Sequence, residues 1–427
     1  MPLQILVIGS GVAGPALATL LLRSTTPPFI TLLERAPALR TGGQQLDFKA
    51  QGTPIIRRMG LLERMRAHRV EEEGHEMVGA RGECLASFGV KKGSGTEGSF
   101  GLTNEIEIMR GDIVKVLYEE CVEQGKRAGE RVKGSGVECV FGMTVREMSE
   151  DEGGVDVTFE DGKSKRFDLV IGADGQNSRT RKMVFGAEEN AKAFRETGMQ
   201  VAYYNIPKGP TDSSLAKIYI ATYERSIMLR NSNRPTTQVY LLGKKNGDMI
   251  KETYKKSVAE QKQAWTETYK DAGWEVDRFL EGMKDTQDFY THELVQVKLP
   301  SLYKGRVAFI GDAAYCPSFL TGMGTTSSLI GAYVLAGELA RHGNDVHGAL
   351  EKYNELMKVP TEMFQKLMPG ATSLPSSPLL VWLLRTALWT MSTLRLDKLA
   401  QKLAPGRDKH GIESWPLPEY PELNLEE

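Results

Sequence analysis

Three glycines near the start of the chain have the spacing that holds a nucleotide phosphate. Gly9, Gly11 and Gly14 follow an apolar run, residues 3–8, and precede a stretch of small and apolar residues, 15–22. The first glycine permits a tight turn, the second lets backbone approach a pyrophosphate, and the third lets a helix pack closely on a strand. A helix that begins here offers free N–H groups and a positive dipole end to phosphate. The pattern predicts a dinucleotide-binding turn between a strand and a helix.

An acidic residue stands where this kind of site needs one. A second apolar run, residues 29–33, ends on Glu34, whose carboxylate can accept hydrogen bonds from a ribose hydroxyl. Strand, glycines, helix, strand and acid in register favour nucleotide binding over an ordinary glycine-rich turn. Residues 93–98 repeat the glycine spacing, but a strand-like segment without a suitable acid follows them, so we interpret them as a hairpin loop.

Two later strands also end in turns that carry an acid. The apolar run ending at Gly172 leads to Asp174-Gly175, which a simple strand-to-loop turn would also explain. The run 306–310 leads to Gly311-Asp312, after which glycines open a helix of small residues. An acid after a strand and a glycine-opened helix suit ribose and phosphate contacts. One nucleotide does not need two such helices, whereas FAD is long enough to use both.

Size and composition indicate a globular chain of more than one domain. Its 427 residues exceed what one core usually supports, and the hydrophobic content of 41% and charged content of 26% are typical of globular proteins. The net charge of −1 gives no overall basic excess that would indicate nucleic acid or an anionic membrane. Four widely spaced cysteines without a C-x-x-C pair argue against a zinc site or other metal site and against a disulfide scaffold. We see no export signal and expect a cytoplasmic protein.

The order of the segments predicts an α/β fold. Probable strands within 198–243 are separated by turn residues, as in an antiparallel sheet, and 248–284 is polar and helical. We predict a Rossmann-like FAD-binding domain, an inserted substrate domain of α+β character with a mixed or antiparallel sheet, and a C-terminal helix. The predicted boundaries are 1–75, 101–184 and 299–345 for the FAD-binding domain, 76–100 and 185–298 for the substrate domain, and 346–427 for a C-terminal helical segment and tail.

Together, the glycine turn with Glu34-Arg35, then Asp174-Gly175, then Gly311-Asp312 form a three-motif pattern. Over about residues 1–345 the chain closely resembles the class A, single-component FAD-dependent monooxygenases of the para-hydroxybenzoate hydroxylase family. Within that family it is most similar to the branch of tetracycline-inactivating monooxygenases and natural-product hydroxylases. It departs from the family pattern at Tyr315, where histidine is common, and at Ile330-Gly331, where a polar pair is usual.

The resemblance implies a role for each matching residue. Gly9, Gly11 and Gly14 would hold the FAD pyrophosphate, Glu34 the adenosine ribose, and Arg110, at a helix start, the flavin nucleotide. Other cofactor-binding residues that it implies are Arg35, Asp47, Asp174, Gly175, Gly311, Asp312, Pro317, Gly322, Gly324 and Thr325.

Some of these implied roles are more specific. Asp174-Gly175 is associated with FAD and with passing NADPH, and Asp312 with the ribityl and pyrophosphate side. Pro317 and residues 322–325 would lie beside the isoalloxazine, with the helix dipole facing its N1–C2=O edge. Asp47 would lie near the flavin, and Arg40 is a weaker match to a basic residue that meets NADPH. Locally, the loop 40–47 could equally be a solvated connection.

The resemblance also implies the reaction. NADPH or NADH would reduce FAD and leave, which needs only one glycine motif, and a flavin C4a-hydroperoxide formed with O2 would hydroxylate or epoxidise a lipophilic aromatic or polycyclic natural product. The flavin carries this chemistry, so no catalytic side chain is named. The alternatives are a flavin-dependent reductase or dehydrogenase on the same fold and a non-catalytic FAD-binding protein.

Two regions bear on the substrate and on partners. Tyr203, Tyr223, Met228 and Arg230 are candidates for lining a substrate pocket, with core or outer-face positions as the alternative. The apolar stretch 378–394 is too short to span a bilayer. It is either a helix packed across both domains, an interfacial anchor that makes peripheral membrane contact, or a lid over a lipophilic substrate entrance. Residues 404–427, rich in proline and charge, are expected to form a loose tail.

Overall fold

The computed structural model describes residues 1–89, 106–231, 233–394 and 411–425. The hairpin loop expected at 93–98 lies outside these ranges. The strands are β1 (Gln4–Ile8), β2 (Phe29–Glu34), β3 (Gln45–Asp47), β4 (Gly74–Val78), β5 (Cys84–Gly89), β6 (Glu107–Met109), β7 (Gly136–Phe141), β8 (Val145–Asp151), β9 (Gly154–Phe159), β10 (Ser164–Phe167), β11 (Leu169–Gly172), β12 (Phe194–Pro207), β13 (Leu215–Ala221), β14 (Arg225–Asn231), β15 (Thr236–Gly243), β16 (Tyr290–Val297), β17 (Tyr303–Lys304) and β18 (Val307–Phe309). The helices are α1 (Ala13–Arg23), α2 (Gly52–Arg58), α3 (Leu62–Ala67), α4 (Arg110–Arg131), α5 (Arg179–Lys192), α6 (Gly247–Thr253), α7 (Val258–Tyr269), α8 (Val276–Asp285), α9 (Asp312–Tyr315), α10 (Gly324–His342), α11 (Val346–Phe364) and α12 (Pro378–Thr393).

The larger core is built on a six-stranded sheet in the order β17-β18-β11-β1-β2-β7. Every pair except β17–β18 is parallel, so the carboxyl ends of β1, β2, β11 and β18 meet at one edge. The central strands are buried on both faces, as their unbroken apolar sequences predict. Helix α1 packs against α4 and α10. These features confirm the predicted α/β class with a Rossmann-like unit.

A second, seven-stranded sheet has the order β16-β12-β15-β14-β13-β4-β5. Its pairs are antiparallel except β4 with β13, which confirms the expected mixed sheet. Residues of α7 and α8 form one core with one face of this sheet. The opposite face meets Phe319 and Leu320, which follow the last motif of the six-stranded unit. This face therefore stands over the motif-bearing edge. The exact domain boundaries stay a prediction.

The remaining described strands form two smaller sheets. Strands β3 and β6 form an antiparallel ladder in which Asp47 lies opposite Glu107. Strands β8, β9 and β10 form a separate antiparallel sheet. Residues 52–67 form two helices, α2 and α3, because Gly60 between them has a φ of +71° that no helix residue adopts.

The last described segment corrects the expectation of a loose tail. Residues 411–425 return to the six-stranded unit, where Ile412, Tyr420 and Leu423 are buried. The hydroxyl of Tyr420 donates to Glu338 Oε1 at 2.7 Å, and a Cβ on Gly337 would overlap the Tyr420 ring. Three apolar side chains in a proline-rich sequence are enough to anchor it. Among the described residues, no helix has the length and apolarity needed to cross a bilayer.

Candidate functional site

The glycine turn after β1 forms a tight backbone cradle. Gly9 has a φ of +114°, and a Cβ there would overlap the carbonyl oxygen of Ala173. A Cβ on Gly14 would overlap the Gly9 carbonyl, so α1 lies closer to the turn than any other residue allows. Gly11 lies between them. The turn thus leaves the amino end of α1 open to a ligand, as its sequence predicted.

Glu34, at the end of β2, is buried and holds the neighbouring backbone. Its two carboxylate oxygens accept hydrogen bonds from the N–H groups of Ser10 and Ala36, each at 3.0 Å. Arg40 Nε lies 3.8 Å from Oε1. The carboxylate is therefore fixed beside the glycine turn, and the loop that carries Arg40 lies within its reach.

Arg110 begins α4 and extends toward the glycine turn. A Cβ on Gly11 would lie 3.5 Å from its Nη2, and a Cβ on Gly43 would lie 3.0 Å from its Cδ. Burial lowers the pKa of Arg110, while the nearby charges of Asp312 and Glu34 act in the opposite direction. A guanidinium beside a glycine turn and a helix amino end is suited to a pyrophosphate.

Asp174 shapes its own turn. Its carboxylate accepts from the Ser178 hydroxyl at 2.5 Å and from the Thr180 backbone N–H and hydroxyl at 3.1 and 3.0 Å. Gly175 has a φ of +84° and lets the chain reverse into α5. The carboxylate of Asp174 therefore fixes the turn between β11 and α5.

Arg181, which the sequence analysis missed, joins two of the motif loops. It is fully buried and donates to the carbonyls of Gln176 and Ala313, both at 2.8 Å. Its Nε donates to Asn190 Oδ1 at 2.8 Å. The Asp174 turn and the Asp312 turn are thus held together by one guanidinium. Local sequence does not distinguish this buried arginine from Arg179, which lies two residues earlier and is exposed.

Asp312 opens α9 with one oxygen unused. Its Oδ1 is buried and has no hydrogen-bond partner among the described residues. Burial raises the pKa of Asp312, and the Cys316 thiol and the charge of Arg110 act in the opposite direction. Gly311, with a φ of +60°, brings the turn close to α1, where its Cβ would lie 3.1 Å from that of Ala13. The orphaned oxygen is a ready acceptor for a ligand hydroxyl.

The segment after Asp312 forms a second backbone cradle. The Pro317 carbonyl accepts from Gln296, and a Cβ on Gly322, where φ is +63°, would lie 2.6 Å from Lys49 Nζ. Lys49 Nζ is 3.5 Å from Asp47, so the β3 loop and this cradle meet. Helix α10 begins at Gly324, with Thr325 buried in its first turn.

The inner face of the seven-stranded sheet is aromatic. Tyr203 packs edge-on against Tyr240, with ring centroids 5.0 Å apart, and against Phe319 at 5.9 Å. Met228 lies opposite Tyr240 in the ladder and joins the same cluster. The Tyr203 hydroxyl is buried without a partner among the described residues. The structure thus brings Tyr203 and Met228 together above the second cradle.

The other two candidate pocket residues lie elsewhere. Tyr223 is half exposed in the turn between β13 and β14, with a φ of +59°, and is not brought to the inner face. Strand β13 ends at Ala221, before Tyr223, because the turn needs this positive φ. Arg230 is buried in an ion cluster with Glu72 and Glu107, at one end of the inner face.

That ion cluster joins the two units. Arg230 Nη2 lies 2.6 Å from Glu72 Oε1 and also contacts Glu107. Gln45 donates to Glu107 through its side chain and to Gln238 Oε1 through its backbone N–H at 2.9 Å. Burial and the charge of Glu72 raise the pKa of Glu107 to about 7 against the opposing effect of Arg230. The cluster fixes the loop that carries Asp47 against the second sheet.

One cleft brings together eight of the twenty predicted site residues. Its empty volume is about 690 Å³, open to solvent at its mouth. Its lining includes Gly9, Gly11, Glu34, Arg35, Arg40, Arg110, Asp174, Gly175 and Arg179. The residues around it fit FAD: glycine positions that a Cβ would fill, a guanidinium at the helix amino end, and the orphaned buried oxygen of Asp312. Among the described residues there is no cluster of metal-ligating side chains.

Comparison with known proteins agrees with this geometry. Residues 2–359 match the family described as FAD binding domain. The chain is 39% identical over 432 aligned residues to the FAD-dependent monooxygenase asL6 of Sarocladium schorii, with 100% of both chains covered. It is similar to the crystal structure of tetracycline destructase Tet(51), with a TM-score of 0.73, 28% identity and coverage of 92% and 97% of the two chains. For tetracycline destructase Tet(55) the TM-score is 0.74 at 26% identity, with 98% and 99% covered.

Proposed function

The chain belongs to the class A FAD-dependent monooxygenases, and from this premise we propose that it oxidises a lipophilic aromatic or polycyclic compound with O2 and a nicotinamide reductant. The observation that carries the proposal is the convergence of the glycine turn, Glu34 and Arg110 on one cleft, with the charge of Asp312 close enough to act on Arg110. When bound, FAD would carry two electrons from the nicotinamide to O2. One oxygen atom would then enter the substrate and the other would leave as water.

The side chains around the cleft bind and orient the cofactor. The N–H groups of the glycine turn and the Arg110 guanidinium neutralise the pyrophosphate, and Glu34 accepts from the adenosine ribose. The free oxygen of Asp312 accepts from a hydroxyl of the ribityl chain. The amino end of α10, at Gly324 and Thr325, directs its positive dipole toward the isoalloxazine. Arg181 acts through the two turns that it joins, as a positioning residue.

The inner face of the second sheet holds the substrate away from water. Tyr203, Tyr240 and Phe319 offer flat apolar surfaces that suit an aromatic ring system, and Met228 adds an adaptable contact. The name of tetracycline destructase refers to the inactivation of a polycyclic compound, which supports the same substrate class for this chain. The hydroxyl of Tyr203 donates to a polar substituent of the substrate.

The reductant meets the exposed mouth of the cleft. Arg35, Arg40 and Arg179 line this mouth and are exposed, which gives an anionic nicotinamide dinucleotide three cations to meet. Such surface charges speed encounter and release without holding the ligand tightly. This suits a reductant that binds transiently.

The test is to follow the flavin and the oxygen. Purified protein should carry FAD, and NADPH should bleach its absorbance in the absence of air, faster when a substrate is bound. Candidate polycyclic phenols are then incubated with the enzyme, NADPH and ¹⁸O2, and products are analysed by mass spectrometry. One ¹⁸O atom per product molecule supports the proposal. Bleaching and reoxidation with products that carry no ¹⁸O would overturn it in favour of a reductase or dehydrogenase.

A further inference from the structure

Helix α12 presents an uncharged apolar surface to solvent. Leu380 is 48% exposed and Trp382 60% exposed, and Leu379, Leu383 and Trp389 are similarly open. The helix has 16 residues, of which the only charged one is Arg385. A contiguous exposed surface of this kind marks an interaction site rather than ordinary surface.

The orientation of α12 is fixed by its other face. Arg385 Nη2 donates to the Ile220 carbonyl at 2.6 Å, and its guanidinium lies 4.7 Å from the Tyr219 ring centroid. Val381 is buried, and α12 packs on β5 at the edge of the second sheet. The only charge of α12 is thus turned inward, so that α12 contacts the second sheet and leaves its apolar side open.

The segment that precedes α12 is also held by hydrogen bonds to the second sheet's β13–β14 turn. The N–H groups of Tyr223 and Glu224 donate to the carbonyls of Ser376 and Pro375, at 3.2 and 2.9 Å. Half-exposed Tyr223 therefore stands beside the start of α12, with Lys245 Nζ 5.2 Å from its ring centroid. Tyrosine and a lysine at the rim of a tryptophan and leucine surface are the residues that occur at a membrane–water boundary.

The charges that follow α12 in the chain agree with a lipid partner. Residues 395–410 contain five lysines and arginines and two aspartates. They follow α12, which ends at Thr393, directly in the sequence and carry an excess of positive charge. Cations next to an apolar helical face favour the surface of an anionic bilayer.

We propose that the exposed face of α12 docks the protein on the surface of an anionic lipid bilayer. The helix lies in the plane of the interface with Leu380, Trp382 and Trp389 in the boundary between headgroups and acyl chains, while Arg385 keeps its protein contacts. At 16 residues it is too short to span the hydrocarbon. This inference does not depend on the reaction proposed above.

The test uses the full-length protein and sedimentation with vesicles of phosphatidylcholine containing about one third phosphatidylserine. Leu380→Glu and Trp382→Glu should each weaken vesicle binding about tenfold or more. Val359→Glu is the matched control, because Val359 is 49% exposed on α11, and it should bind as the wild type does. Circular dichroism and thermal unfolding verify that all three variants fold. Brominated phosphatidylcholine should quench the tryptophan fluorescence, and a Trp382→Phe, Trp389→Phe variant should lose this quenching.

Each other result overturns the proposal. Wild-type protein that does not sediment with the vesicles has no lipid-docking surface. Binding that Leu380→Glu and Trp382→Glu leave unchanged would assign it to another part of the chain. A wild-type dimer in analytical ultracentrifugation that Leu380→Glu converts to a monomer, without vesicle binding, would make a second copy of the chain the occupant of this face.

Discussion

The hydroxyl of Tyr315 occupies the space that a side chain at position 331 would need. A Cβ built on Gly331 would overlap Tyr315 Oη and lie 2.8 Å from its Cζ. Tyr315 is fully buried, and its hydroxyl is 3.5 Å from that of Tyr353, which in turn donates to the Phe309 carbonyl. The two departures from the family pattern, at 315 and at 330–331, therefore belong together. A larger side chain at 315 requires glycine on α10.

This relationship predicts a coupled pair of substitutions. Gly331→Ala should lower the free energy of unfolding by about 1–3 kcal/mol, because the interior cannot admit the added methyl group. In a Tyr315→Phe background the same change should cost less by about 1 kcal/mol, since the nearer overlapping atom, the hydroxyl oxygen, is gone while the ring carbon remains close. Urea denaturation of the four proteins gives the coupling energy. Equal costs in both backgrounds would contradict the overlap.

Arg181 offers a prediction about the joined motif turns. Arg181→Lys keeps the charge but can replace only part of the three hydrogen bonds to Gln176, Ala313 and Asn190, and it should destabilise the protein by about 1–3 kcal/mol. It should also release FAD more readily, measured as flavin retained after gel filtration. Arg179→Lys, on the exposed side of the same turn, is the control and should change unfolding by less than about 0.5 kcal/mol. Similar losses in both variants would show that the joining role is wrong.

Glu34 offers a prediction about the cofactor. In Glu34→Gln the amide NH2 group faces one of the two backbone N–H donors, of Ser10 or Ala36, so that donor loses its acceptor. The ribose hydroxyl also loses a charged acceptor. FAD affinity, measured by quenching of flavin fluorescence, should fall about tenfold. Glu138→Gln, on neighbouring β7, is the control. It changes an exposed carboxylate whose single ion pair, with Lys165, is long at 3.9 Å, and it should leave FAD affinity unchanged.

The sequence predicted best what depends on local pattern. The turn at Gly9–Gly14, the acid at Glu34 and the strands of both sheets follow from spacing and periodicity within short windows. Arg181 was missed because its carbonyl partners are contributed by distant loops, and Tyr223 was misplaced because the strand register depends on where a turn falls. The tail from 411 was misjudged for a similar reason: proline and charge predict disorder, but the groove at Gly337 that accepts Tyr420 exists only in the folded chain.

The ion cluster around Arg230 predicts a dependence of stability on pH. The pKa of Glu107 is about 7 in the folded protein, above its ordinary value of 4.5, so its contribution favours folding at low pH and is lost as pH rises from about 4.5 to 7. His75, 3.8 Å from Glu72, has its pKa lowered to about 4 by burial and by Arg230, so its contribution has the opposite sign between pH 4 and 6.5. The two effects partly cancel in the wild type.

Comparison with Glu107→Gln isolates one of them. Relative to wild type, this variant should gain about 1–3 kcal/mol of unfolding free energy between pH 4.5 and pH 8, because it has no proton to lose. The constant part of the difference, from the altered contact with Arg230, does not affect this slope. Thermal unfolding across the pH range measures it. A difference that does not change with pH would mean that Glu107 is ionised throughout.

Tyr203 and Tyr204 are neighbours whose hydroxyls have opposite environments, and this separates binding from stability. Tyr204 donates to the Phe279 carbonyl at 3.1 Å on the helix-covered face, so Tyr204→Phe loses this buried hydrogen bond and should cost about 1 kcal/mol of stability. The Tyr203 hydroxyl is buried on the inner face without a partner, so Tyr203→Phe removes a desolvated group and should leave stability unchanged or raise it by about 0.5 kcal/mol. If this hydroxyl donates to the substrate, Tyr203→Phe should raise the KM for a polycyclic phenol about tenfold while Tyr204→Phe leaves KM unchanged. A stable Tyr203→Phe enzyme with wild-type KM would remove Tyr203 from substrate recognition and leave its ring as a wall of the cleft.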